Sequence, residues 1–173
     1  SGKALSASKL GQIVPIHSTM SAIGITKEYW PTVIRGDKVP NWPSTKYPLI
    51  MYSSPDHYDG EENSGIYVRV YNAELGEPTE TVAWEEWQDV SNRSEFSHIS
   101  TKTNPIFSES VATSETPSVI VSSGNVYLFT HNILNPGGTG SPDQGTSLAK
   151  GVNGIDFTSI ASPLLSYNAA KEQ

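Results

Sequence analysis

The chain has no cysteine among its 173 residues. That absence excludes disulfide staples, thiolate metal sites and cysteine nucleophiles. Charge is also sparse. Asp, Glu, Lys and Arg make up 17% of the residues, and 18 acidic against 11 basic side chains leave a net charge of −7. Lys and Arg are scattered, never clustered. Nucleic acid is therefore not an expected partner, because phosphate binding needs concentrated positive charge. No apolar run reaches the roughly 20 residues of a membrane-spanning helix, so no membrane partner is expected either. The chain lacks a phosphate-binding Gly loop with its Lys, a Cys/His zinc spacing and a Gly-x-Ser-x-Gly nucleophile elbow. Ser1 to Leu10 lacks the basic start and apolar centre of a secretory signal. No long segment repeats its apolar residues at the helical period.

What the chain does have is punctuation. Its 14 Gly and 12 Pro, with many Ser, Thr and Asn, separate short runs rich in β-branched and aromatic residues. That composition predicts an all-β fold. The clearest strand is Gly65-Ile-Tyr-Val-Arg-Val-Tyr71. Its alternation sets Ile66, Val68 and Val70 on one face and Tyr67, Arg69 and Tyr71 on the other. Ile13-Val-Pro-Ile16 suggests an edge strand, since Pro15 has no N–H for a ladder. Ser21 to Tyr29 fits either a strand or one helical turn.

Two stretches resemble each other. Trp30-Pro-Thr-Val-Ile34 leads through a turn-rich insert to Tyr47-Pro-Leu-Ile-Met-Tyr52 and then Asp56-His57. Glu115-Thr-Pro-Ser-Val-Ile120 leads through a tight turn at Ser123-Gly124 to Val126-Tyr-Leu-Phe-Thr-His131. The Pro-[Thr/Ser]-Val-Ile motifs begin at 31 and 117, which are 86 residues apart (117 − 31). A Ser-Pro-Asp follows in each copy, at Ser54-Pro-Asp56 and Ser141-Pro-Asp143. One domain over 1–173 is expected, with a tail at 1–12, unit one at 29–90, a connection at 91–114 and unit two at 115–167. Each unit is expected to hold about four short antiparallel strands. In unit two these are Thr116 to Val121, Asn125 to Thr130, Gly145 to Lys150 and Ile155 to Ser159, with Pro163 to Tyr167 opening a further one. A four-stranded sheet repeated along the chain is the signature of a β-propeller. A β-sandwich is the alternative.

At these motifs the chain resembles the five-bladed β-propeller glycosidase superfamily, which contains glycoside hydrolase families 43, 32, 68 and 117. Blades there often begin with Pro-Ser-Val-Ile, turn at Gly and continue as aromatic strands. The resemblance runs from about Tyr29 to Tyr167 and implies a partial propeller of about two blades. It also implies carbohydrate as the partner, hydrolysis of glycosidic bonds as the activity, and an extracellular or periplasmic location. Two features depart from the family. Five blades need roughly twice this length or more. The family's general base is an Asp on the first innermost strand, where this chain has Tyr29-Trp30-Pro31 with only Glu28 nearby.

The resemblance implies that Glu115 is a general acid, the group whose raised pKa lets it protonate the leaving oxygen. Asp56 is the best partner carboxylate or pKa tuner, and His57 is placed to bind a sugar hydroxyl. His131 and Asn132 would occupy the equivalent exit in unit two. Trp42, in a Pro-rich loop, is the candidate platform for a sugar ring; His17 and His98 read as structural. No cofactor and no metal ligand is assigned, with a bound calcium left open as the alternative. Tyr58-Asp-Gly-Glu-Glu-Asn63 faintly resembles a calcium loop but lacks the spacing of a helix-loop-helix site, and reads as a solvated loop. A non-catalytic sugar-binding or structural β-module is the rival. A third reading is a half-propeller whose remaining blades come from another chain, since two blades leave open faces and invite association.

Overall fold

In a computed structural model, residues 14–55, 65–108, 114–133 and 144–167 are described. The fold is all-β, with two four-stranded antiparallel sheets in sequential strand order. Sheet one holds β1 (Glu28–Arg35), β2 (Leu49–Pro55), β3 (Tyr67–Tyr71) and β4 (Trp84–Glu86). Sheet two holds β5 (Glu115–Ser122), β6 (Asn125–Ile133), β7 (Gln144–Gly151) and β8 (Thr158–Tyr167). Two short helices, α1 (Ser18–Ala22) and α2 (Trp87–Val90), flank sheet one. Among the described residues no helix is long and apolar enough to cross a membrane.

Local chemistry accounts for much of this. Ser123 and Gly124 both have positive φ, 50° and 71°. They close the expected two-residue β5–β6 hairpin, whose sharp reversal favours Gly. Gly36 sits where a Cβ would lie 2.5 Å from the Trp42 indole and 2.6 Å from the Tyr47 carbonyl oxygen, so no larger residue fits without a shift.

Two expectations change. Val14 to Ile16 is not a strand; the chain turns into α1 instead. The fourth strand of sheet two is not Ile155 to Ser159. Ile155 is a buried loop residue, and β8 runs through Pro163 to Tyr167 as one strand. It tolerates Pro163 because the β7–β8 register slips between Thr146 and Leu148, at a sheet edge.

The sheets share one core. Ile50, Tyr52, Val68 and Val70 of sheet one pack in the same cluster as Val119, Val126, Leu128 and Ala149 of sheet two. Tyr52 donates its hydroxyl hydrogen bond across to the Gly154 carbonyl at 2.8 Å, and Thr32 Oγ1 donates to the Pro117 carbonyl at 2.5 Å. The same core continues into an aromatic cluster of Trp42, Tyr47, Trp87 and Phe96, with Trp42 and Trp87 stacked at 6.2 Å. Asp156 then ties the connection to sheet two by accepting from the N–H groups of Ser100 and Thr101 at 2.9 and 2.7 Å.

Because β4 is short, β3 would show bare backbone where its partner stops. Asn104 covers it. Its Oδ1 accepts from the Val68 N–H at 2.9 Å, and its Nδ2 donates to the Val68 carbonyl at 3.2 Å. Further on, Ile66 pairs with Phe107. Asn104→Ala leaves both buried Val68 groups without that partner, a loss expected at about 1–3 kcal/mol in urea unfolding. A variant within a few tenths of wild type would contradict this role.

Candidate functional site

The two sheets repeat one irregularity. In sheet one Tyr29 pairs with Ser54 and Thr32 with Tyr52, so three steps on β1 face two on β2. In sheet two Glu115 pairs with His131 and Ser118 with Phe129, again three against two. Both first strands therefore bulge before their Pro-[Thr/Ser]-Val-Ile motif. The two bulges lie at the same end of the molecule and touch, since the Thr116 N–H donates to Ser54 Oγ at 3.1 Å. Thr116 has φ 49°, a left-handed conformation that costs a β-branched residue energy and that clusters at functional sites.

This end is polar where the rest of the inter-sheet layer is apolar. Ser54, Thr130, Asn132 and Ser147 are all buried. Glu115 and His131 stand directly opposite in register, so their side chains leave the same face of sheet two. Glu115 is buried and His131 half-buried. A carboxyl group and an imidazole on neighbouring strands can hold hydroxyl groups or pass a proton.

Asp56 and His57 lie outside the described residues, as do Tyr58 to Asn63. The register makes Ser54 the counterpart of His131, so the expected match of His131-Asn132 with Asp56-His57 is offset. Asn132 is not a loop residue at a strand exit. β6 continues to Ile133, and alternation turns Asn132 to the inward face, away from His131. There it is fully buried and its amide oxygen accepts from Ser147 Oγ at 2.8 Å, a packing role. Trp42 is not a sugar platform. It is core, 6% exposed, and its indole N–H donates to the Tyr47 carbonyl at 2.8 Å.

Reading the sequence missed the cluster on the other face of sheet one. Glu28 opens β1 beside Arg69 of β3, and Arg69 Nη1 donates to both Glu28 oxygens at 2.9 and 3.1 Å. Arg69 Nη2 reaches Glu86 at 3.4 Å and donates to the Pro15 carbonyl at 2.6 Å. Ser53 Oγ also donates to Glu28, as does the His17 N–H at 3.0 Å. Ser18 gives Glu86 its N–H at 2.7 Å and its hydroxyl at 2.5 Å. The imidazole of His17 is fully buried between the two carboxylates, 3.5 Å from Glu86 and 4.0 Å from Glu28, and packs on Tyr67. Neither ring nitrogen makes a hydrogen bond. The cluster clamps residues 14–18 onto sheet one. The available signal was Arg69, a charge in the middle of an otherwise apolar and aromatic strand.

Burial alone would raise the Glu86 carboxyl. The adjacent His17 ring and the Ser18 hydroxyl and N–H outweigh it and hold Glu86 at about 2, below its ordinary 4.5. A carboxyl depressed in the folded state stabilises that state above the unfolded-state pKa. The contribution disappears as pH falls through the folded value. Glu86→Gln is therefore expected to be less stable than wild type at neutral pH and to lose less stability between pH 4.5 and about 2. Urea unfolding across that range checks it, and superimposable profiles would rule out the linkage.

Among the described residues no group of three or more His, Asp or Glu is arranged to hold a metal ion. Comparison of the chain with family models, curated proteins and solved structures finds no match.

Proposed function

We propose that this chain is a carbohydrate-active protein of glycosidase type, built from two blades of a β-propeller. In this reading Glu115 is the general acid, Asp56 is its partner carboxylate, and His131 and His57 bind sugar hydroxyls. The observation that carries it is the Glu115–His131 pair beside the left-handed Thr116, at the polar end shared by both sheets. The blade reading draws support from the sequential order of both four-stranded sheets and from their matching bulges. An extracellular or periplasmic location belongs to the same reading.

One observation favours a second reading, a sugar-binding module without turnover. Glu28 is the carboxylate nearest the place where the resembling family keeps its base, and Arg69 and Ser53 hold both its oxygens. A carboxylate so engaged is poorly placed to activate water. A glycan panel separates the readings when release of reducing ends and binding are measured on the same protein. Release supports the enzyme, and binding without release supports the module. Neither binding nor release across the panel would contradict both.

A further inference from the structure

The matching bulges define which residue of sheet two repeats which residue of sheet one. They align Ile34 with Ile120, Ile50 with Tyr127, Tyr52 with Phe129 and Val68 with Leu148. In sheet one, Ile50, Tyr52 and Val68 form the face that packs on sheet two, with Ile34 against its margin. In sheet two the same positions are again aromatic or aliphatic, but they point away from sheet one, and among the described residues no second sheet covers them. Ile120 is 50% exposed, Tyr127, Phe129 and Leu148 are half-buried, and Leu165 on neighbouring β8 is 69% exposed.

We propose that this outward face of sheet two is an interface between two copies of the chain, each placing its sheet two against the other's about a two-fold axis. Three observations favour a second copy. The face repeats a core-forming face, so its chemistry suits another apolar sheet rather than water. Glu115 is the only carboxylate in β5–β8, although the chain carries a net charge of −7. Two such faces therefore meet without the repulsion that opposes contact elsewhere on the molecule, and the lone Lys150 lies over the Tyr127 ring, 5.9 Å from its centroid. Finally, like against like closes after two copies and leaves no further face open.

The size of the face sets the strength. Four strands about 4.8 Å apart and about eight residues long cover roughly 500 Å² on each copy. The total of about 1,000 Å² is at the lower limit for a specific interface. The dimer is therefore weak and depends on concentration.

Light scattering across roughly 10–500 µM tests this, a range that brackets such an interface. The mass is expected to rise from 18.7 kDa towards twice that value. Ile120→Glu and Leu165→Glu replace exposed side chains, so the fold is retained, as far-UV circular dichroism will show. Each is expected to weaken association at least about tenfold by putting a carboxylate into the contact. Val82→Glu, at an exposed apolar position remote from the face, is expected to leave it unchanged. A mass of 18.7 kDa at every concentration would overturn the proposal, as it would if another polypeptide covered this face. A dimer indifferent to both face substitutions would overturn it equally.

Discussion

Arg69→Met is expected to cost about 3–5 kcal/mol of folding stability, the range for breaking a buried ion pair from one side. The guanidinium is 2% exposed and lies between Glu28 and Glu86. Without it, two carboxylates remain on one covered face, and the Pro15 carbonyl loses its donor. Against a typical domain stability of about 5–15 kcal/mol, this is a large share. The comparison that isolates the cause is the triple variant Glu28→Gln, Arg69→Met, Glu86→Gln. Removing the charges together is expected to recover much of the loss, because the penalty comes from uncompensated charge rather than missing volume. Urea unfolding at neutral pH measures both. A loss under about 1 kcal/mol for Arg69→Met alone would mean the carboxylates are solvated and the clamp on residues 14–18 is not built this way.

The second large effect is expected in turnover. Glu115→Gln keeps the shape of the side chain and removes the exchangeable proton. If Glu115 protonates the leaving oxygen, hydrolysis of a responsive glycan falls by about 10²–10⁴-fold. Binding of the same glycan stays within a few-fold of wild type, because the amide still donates and accepts hydrogen bonds. Glu115 opens β5 next to Thr116, whose left-handed backbone aims the start of the strand. Equal turnover in Glu115→Gln and wild type would remove the acid assignment. Loss of binding together with turnover would instead make Glu115 a binding residue.

The parts of this fold legible in the sequence were those set by neighbours along the chain. Ser123-Gly124 closes a hairpin because two adjacent residues take positive φ. The alternation from Ile66 to Tyr71 separated the inter-sheet core from the face carrying Arg69, as expected. The parts that were not legible depend on partners far apart in sequence. His17 meets Glu28 and Glu86, which stand 11 and 69 positions on, and no local pattern marks such a meeting. Asn132 was expected at the exit of unit two, yet pairing with Gly145 extends the strand through it and turns its amide inward. Trp42 stands in a run of prolines that reads as a surface loop. Gly36 leaves room for its indole to enter the core, and tertiary packing overrides the local signal. Of the candidate site, Glu115 and His131 were legible as strand ends, but only the register brings them face to face.

In the proposed function, a glycan binds at the polar end shared by both sheets, whether or not turnover follows. Backbone amide shifts during titration with the best-binding glycan test that placement directly. The expected changes fall at Ser53 and Ser54, Glu115 and Thr116, Thr130 and His131, and Thr146 and Ser147. Changes confined to the opposite end, at the Ser123-Gly124 hairpin and the Asn153-Gly154 turn, would contradict the account.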